Sequence, residues 1–307
     1  MTELHVHLDG SLRPSSVFDM TLEQKLSLPA DTPEELMEHL TVPPDCRDLT
    51  QYLERFALPL KVLQKPEALT RAVRELILDL MEDGVTAAEI RFAPQFHTGG
   101  GYSQREMTQA AIAGLRDDFY GSLILCCMRG ADNQAANEET LKTAAALLGS
   151  GVCAVDLAGA EELFPTKDYA ELFSRARRMD LPFTIHAGEA AGPESIWDAL
   201  RMGASRIGHG VRAVEDPALC RYLADRRIPL EVCYTSNLHT RAFPEGTPHS
   251  MRTLFDMGLC VTFNTDNRTV SGTTMHREME QLKQDLGFTR EEFAMMQFYA
   301  GEALFSQ

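Results

Sequence analysis

Polar and apolar residues follow two periods along the chain. Over Met1 to Gly10 the period is two: Leu4, Val6 and Leu8 point one way, while His5, His7 and Asp9 point the other. This predicts a strand with an aliphatic face for a core. Its polar face makes sense if it lines a cavity, because two imidazoles and a carboxylate set against apolar core would be costly. The next fifty residues, roughly 15–65, change to a helical period. Thr32-Pro33-Glu34-Glu35 reads as a helix start, with proline in the first turn and acids near the N-terminus. Asp48 reads as another, ahead of Leu49, Leu53, Phe56 and Leu60 at helical spacing. The stretch is too long for a simple crossover and predicts a helical insertion that roofs what the first strand presents.

A regular alternation follows. Strands are predicted at 87–93, 122–128, 152–159, 182–186, 206–210, 229–233 and 259–266. Helices are predicted near 67–83, 104–119, 137–148, 168–179, 193–202, 216–226 and 249–257, with two more near 275–286 and 289–304. Glu89 and Arg91 share a strand face and read as an interior ion pair. With the first strand, the pattern is eight strands each followed by helix. The fold class is therefore α/β, a (β/α)8 TIM barrel with a helical insertion after the first strand and extra C-terminal helices. No repeat, low-complexity stretch or shift of composition divides the chain, so residues 1–307 are expected to form one domain.

Composition narrows the partners. Of 307 residues, 44% are hydrophobic, enough for a sizeable core. Asp+Glu 45 against Lys+Arg 29 gives a net charge of −16, which argues against nucleic acid, whose binding needs basic residues. No apolar run is long enough to span a bilayer, and no signal peptide is expected, since chemically interesting residues begin at His5. The seven cysteines form no Cys-x-x-Cys. Cys126, Cys127, Cys153, Cys233 and Cys260 sit in apolar, strand-like stretches and read as core residues, as in a reducing cytoplasm.

In such barrels chemistry gathers at the C-terminal ends of the strands. His5 and His7 end the first strand, His186 the fifth, His209 the sixth and Asp266 the eighth. Each alone has a structural explanation, such as a hydrogen-bonded core histidine or an Asp that caps a turn. Together they place four imidazoles and a carboxylate on one rim. Nitrogen ligands with one oxygen suit zinc, which lowers the pKa of water to about 7. Asp9 is a further candidate ligand. Glu189 stands three residues past His186 in the following turn. It can serve as a proton shuttle or as a helix-start acid, and spacing alone does not separate the two.

The motifs, taken in order, resemble the adenosine deaminase family of the amidohydrolase superfamily, its bacterial branch in particular. They are His5-Val6-His7-Leu8-Asp9-Gly10, Asp156-Leu157-Ala158-Gly159, His186-Ala187-Gly188-Glu189, Ile207-Gly208-His209-Gly210, Glu231-Val232-Cys233, Thr235-Ser236-Asn237 and Asn264-Thr265-Asp266. The resemblance covers nearly the whole chain. It implies one zinc ion held by His5, His7, His186 and Asp266. It implies that Glu189 protonates purine N1, that His209 orients and deprotonates the attacking water, and that Asp266 accepts a hydrogen bond from it. His7 and Asp9 become a combined metal and ribose platform, with Asp9 on the 5′-hydroxyl, and Gly159 meets purine N3. The implied reaction converts adenosine or deoxyadenosine to inosine or deoxyinosine and ammonia.

The chain departs from the family pattern at Asn267, where a second acid often faces purine N7. Asn offers N–H donors at any pH, so purine recognition survives, but other adenine derivatives (adenine, N6-methyl-AMP, aminofutalosine) stay open as substrates. Tyr234 replaces a frequent proline. His97, ahead of Gly99-Gly100-Gly101, reads as a rim or lid residue or, preferably, a structural one. Two competing readings are a multi-metal phosphoesterase, which also begins with His-x-His but needs more ligands and basic residues, and a non-catalytic zinc-containing nucleoside-binding protein.

Overall fold

Leu4, Val6 and Leu8 are fully buried on the outer face of the first strand, while His5 is fully buried on the inner face. The period of two therefore separates aliphatic packing from a polar interior, as the pattern predicts. The computed structural model describes residues 1–243 and 246–305. Its strands are β1 (Thr2–His7), β2 (Ala87–Phe92), β3 (Tyr120–Met128), β4 (Val152–Ala158), β5 (Thr184–Ala187), β6 (Arg206–His209), β7 (Leu230–Val232) and β8 (Val261–Phe263).

Neighbouring strands pair in parallel as β1-β2-β3-β4 and β5-β6-β7-β8. Two narrow seams join the halves. At one, Val155 bridges Phe183 and its N–H donates to Pro182 O at 3.0 Å. At the other, Val6 bridges Asp266; His7 N–H donates to Asp266 O at 2.7 Å and Asp266 N–H to His5 O at 2.8 Å. The eight strands thus close into a (β/α)8 barrel, and the second seam brings the two ends of the sheet together beside His5, His7 and Asp266.

The insertion after β1 carries helices Pro14–Glu23, Pro33–Leu40, Leu49–Leu53 and Ala57–Val62, and Pro66–Glu82 is the helix that leads on to β2. Thr32 and Asp48 cap two of them, their side chains accepting the N–H groups of Glu35 and Gln51. Helical spacing from Leu49 to Leu60 is real, although a 3-10 turn at Glu54–Phe56 splits it. The insertion is strapped across the barrel mouth. Tyr52 Oη lies 2.7 Å from Ser271 Oγ, Val42 N–H donates to Val270 O at 2.9 Å, and Arg241 Nε to Cys46 O at 3.0 Å.

Some expectations need correction. The helix expected near 104–119 stops at Ile112, because the chain turns at Gly114 and leads into β3 at Tyr120. A short helix at Tyr234–His239, too brief to show a period, follows β7 directly. Glu89 and Arg91 are not each other's partners. Arg91 pairs with Asp156 (2.9 Å) and Glu231 (2.8 Å), and Arg206 pairs with Glu89 (2.6 Å) and Glu231 (2.7 Å). Strand neighbours at i and i+2 project side by side, so their charges reach across the barrel instead. The Phe305 ring, after the last helix (Arg290–Glu302), lies 3.9 Å from the Arg206 guanidinium.

All seven cysteines are free and buried. No helix among the described residues is long and apolar enough to cross a membrane.

Candidate active site

The strand ends bring the predicted cluster together. His5 Nε2 and His7 Nε2 lie 3.5 and 3.4 Å from Asp266 Oδ1, and His7 Nε2 lies 3.2 Å from His186 Nε2. One ligand atom from each of these four residues falls within 4.8 Å of all the others. The outer nitrogens are already committed. His5 Nδ1 is 2.8 Å from Glu231 Oε2, and His186 Nδ1 is 2.9 Å from Asp156 Oδ2. Donation from Nδ1 to a carboxylate leaves the Nε2 lone pair turned inward, the arrangement that fixes a metal-ligating imidazole. Buried His5 Nε2 has no close hydrogen-bond partner beyond its long 3.5 Å approach to Asp266 Oδ1. Three imidazole nitrogens and one carboxylate oxygen fit a zinc ion with one position left open.

The electrostatics agree. Burial opposes ionisation of Asp266, but hydrogen bonding to His5 and the charges of His7 and His5 hold its carboxyl far below the usual range. Asp156 and Glu231 are likewise buried yet held low, by His186 and Arg91 in one case and by Arg91 and Arg206 in the other. Burial keeps His7 neutral well below its ordinary range. A second grouping exchanges His7 and His186 for His209 and Cys233. Burial and then the Asp266 charge push the Cys233 thiol well up, which makes it the poorer ligand.

Glu189 and His209 stand beside the cluster. Burial, and then the charge of Asp266, pushes the Glu189 carboxyl up to about 7. Thr240 Oγ1 donates to its Oε1 at 2.9 Å, and Oε2 faces His209 Nε2 at 3.5 Å. Burial lowers His209 to about 4, so its ring is neutral at pH 7. Its Nδ1 meets the Asn237 amide at 3.1 Å, while Nε2 has no hydrogen-bond partner. His209 and Asp266 both hold left-handed backbone, φ 60° and 58°. That conformation is costly for residues with a side chain and persists only where the surroundings over-determine it.

A cavity of about 300 Å³ sits over these groups. Leu49, Tyr52, Leu53, Phe56 and Leu60 roof it, so the apolar stripe of the insertion faces the cavity, as its placement predicts. Asp9, Gly159 and Asn267 border it with His7, Glu189 and His209. Burial raises Asp9 to about 6, and its Oδ1 has no partner. Asn267 lies against Gly10, where a Cβ would stand 1.9 Å from its Oδ1, so any larger residue at 10 would displace that amide.

Every predicted site residue thus borders the cavity or the cluster. Sequence reasoning left Asp156, Glu231, Ser236, Asn237 and Thr240 without roles. Asp156 and Glu231 did carry a signal, since each is a lone acid between aliphatic residues inside a strand. Ser236 and Asn237 appeared only within the Thr235-Ser236-Asn237 motif, with no role attached, and Thr240 gave no signal; all three depend on the short helix after β7. His97 is no lid: it is fully buried, with Nδ1 3.1 Å from Leu63 O and its ring against Phe92. Tyr234 donates to Asp285 Oδ2 at 2.9 Å and does not border the cavity.

A closed (β/α)8 barrel with a histidine–carboxylate cluster at its C-terminal rim is the architecture of the metal-dependent amidohydrolases. The match can be made narrower. The adenosine deaminase family model matches residues 1–306, and the chain belongs to that family. It is 48% identical to an adenosine deaminase of Haemophilus ducreyi over 289 residues, 91% of this chain and 84% of that one. Among solved structures it resembles an adenine deaminase from Arthrobacter aurescens (TM-score 0.88, 28% identity, covering 100% of this chain and 94% of that one). It also resembles an Arabidopsis N6-mAMP deaminase (TM-score 0.85, 26% identity, covering 100% and 93%).

Proposed function

We propose that the chain catalyses hydrolytic deamination of adenosine and 2′-deoxyadenosine to inosine and deoxyinosine, releasing ammonia, with one zinc ion per chain. The observation that carries this reading is Glu189. A carboxyl pushed up to about 7 on the wall of a cavity beside a metal-type cluster can hold a proton for a ring nitrogen. His5, His7, His186 and Asp266 would hold the zinc, which supplies hydroxide at neutral pH.

The chain's own residues do the rest. Attack at purine C6 is slow because the ring loses aromaticity. A proton delivered from Glu189 to N1 draws electron density onto nitrogen and makes C6 electrophilic. His209, neutral at pH 7, would meet the reacting water through its unpartnered Nε2. The Asn237 amide sets its tautomer. Its Nδ2 donates to His209 Nδ1 and to Glu189 Oε1, which leaves the His209 proton on Nε2 to orient water; a half-turn of the amide would free Nε2 to take a proton but would give up the Glu189 contact. Asp266 keeps Oδ1 toward the cluster because Ser236 Oγ donates to Oδ2 at 2.5 Å. Gly159 N–H would meet purine N3, the Asn267 amide N7, and Asp9 the ribose 5′-hydroxyl, beside His7.

Asp9 also favours a nucleoside over a nucleotide, since its carboxylate repels a 5′-phosphate. Arg129, which borders the cavity too, is committed to Phe164 O, Thr166 Oγ1 and His186 O. The alternative is an adenine derivative such as adenine, aminofutalosine or N6-methyl-AMP. Two structural relatives are an adenine deaminase and an N6-mAMP deaminase, which supports adenine and N6-methyl-AMP as the alternatives to test. Ammonia release from adenosine, deoxyadenosine, adenine, AMP, N6-methyl-AMP and aminofutalosine, with and without chelator, separates them. Zinc-loaded protein inactive on all six would sink the proposal and leave the non-catalytic reading.

The pH dependence has a definite sign. Glu189 must be protonated, so kcat/KM falls as pH rises through about 7; His209 must be neutral, so it also falls as pH drops through about 4. Bound purine excludes more water from Glu189, so the basic limb of kcat lies above that of kcat/KM. A rate that climbs steadily from pH 6 to 9 would reverse the assignment. Residues 1–307 would act as one domain, and seven free cysteines suit the cytoplasm.

A further inference from the structure

Glu161 takes no part in the chemistry above, yet it is 2% exposed and lies in the loop just after β4, two residues beyond Gly159. Its carboxylate gathers five donors. Oε1 accepts Gly188 N–H at 2.8 Å and Ser195 Oγ at 2.5 Å. Oε2 accepts the N–H groups of Glu189 (3.1 Å), Ala190 (2.8 Å) and Ala191 (3.0 Å). Four consecutive backbone N–H groups converge on one point only where the chain curls into a nest. Gly188 supplies the curl, at φ 74°, and a Cβ there would stand 2.4 Å from Ile196 Cδ1. A carboxylate has about four lone-pair directions, so five donors saturate it.

The donor relay behind Ser195 has a fixed direction. Ser195 spends its one hydroxyl hydrogen on Glu161, so Thr166, at 2.6 Å, must donate to Ser195. Arg129 Nη2 donates in turn to Thr166 Oγ1 at 2.9 Å and to His186 O at 2.6 Å. The same turn reaches the strand-six loop, since Arg212 N–H donates to Gly188 O and Gly210 N–H to Ala187 O, both at 3.0 Å. Glu189 is thus gripped at both ends: Glu161 holds its backbone, and Thr240 and Asn237 hold its side chain.

The geometry points to Glu161 as a positioning residue that clamps the turn carrying Glu189 and sets where that carboxyl meets the substrate. This rests on the deaminase reading for its effect on rate, but the clamp has a readout of its own. Glu161→Gln keeps the size, offers one acceptor oxygen, and turns an NH2 group into a ring of donors. In zinc-loaded protein, kcat on adenosine is expected to fall about 100-fold, because a displacement of about 1 Å costs that much, while KM stays within about threefold. The amides of Gly188 to Ala191 are expected to lose about tenfold in hydrogen-exchange protection, with β2 and β3 unchanged. Glu161→Asp, which retains the carboxylate, recovers part of both. Protection unchanged at these four amides overturns the clamp whether or not the protein turns over. A kcat within about threefold of the unaltered enzyme overturns its effect on rate. If Glu161→Gln fails to fold, Glu161→Asp, whose carboxylate is one carbon shorter, should still raise exchange at the same four amides above that of the unaltered protein; no rise there overturns the proposal. An unaltered protein without activity sinks the deaminase reading alone.

Discussion

Glu189→Gln is expected to lower kcat by about 10³- to 10⁴-fold, the upper range for loss of one general acid. The substitution is isosteric and sits outside the four-residue cluster, so zinc content and KM should stay close to those of the unaltered protein. The amide retains the hydrogen bond from Thr240 and can still approach purine N1, but it has no proton to transfer. What makes the carboxyl suitable is its environment. It is 5% exposed and stands near the charge of Asp266, so its acid form survives at neutral pH. The variant should also lose the fall in kcat/KM near pH 7. Steady-state ammonia release with zinc measured on the same sample checks both. Near-normal turnover in a zinc-replete variant would remove Glu189 from the mechanism.

Removal of the metal is expected to abolish activity, with recovery when Zn²⁺ is returned. The cluster explains why. His5 and His186 are locked by Glu231 and Asp156 with their inner nitrogens converging, and Asp266 is held ionised among them. Without a cation, these inward lone pairs face one another in a buried space. Zinc should therefore also stabilise the fold, by about 2.7 kcal/mol at a hundredfold excess over its Kd. His186→Ala should remain inactive at any zinc concentration and lose most of that stabilisation. The thermal shift is independent of turnover. A midpoint that does not move with zinc, alongside full activity in chelator, would exclude the metal reading.

The candidate site was unusually legible because its residues break a strict pattern. In strands that alternate Leu, Val and Ile with small residues, a histidine or aspartate at the C-terminal end is conspicuous. His5, His7, His186, His209 and Asp266 all stood out this way. The roof was legible as well, from a helical stripe that had no place in a simple crossover. Glu189 was visible but ambiguous, because a turn residue has no face to betray its direction. Asn237, Thr240 and Glu161 were not legible as site residues. Their contacts are made 27 to 51 residues away, and no local period encodes such a distance.

The division follows from the range of the forces involved. Sequence alone determined what depends on neighbours in the chain: strand and helix alternation, the caps at Thr32 and Asp48, and the apolar and polar faces. From these came the (β/α)8 class and the rim on which chemistry gathers. Tertiary structure decided what depends on closure of the barrel. Only when β8 meets β1 does Asp266 reach His5 and His7. Only across the interior does Arg91 choose Asp156 and Glu231 over Glu89 on its own strand, leaving Glu89 to Arg206. Burial, which no single position declares, then raises Glu189 and lowers His209, while His5 and His7 hold Asp266 charged against it. Those shifts arise from desolvation and from charges brought together across the fold, so they exist only in the folded protein.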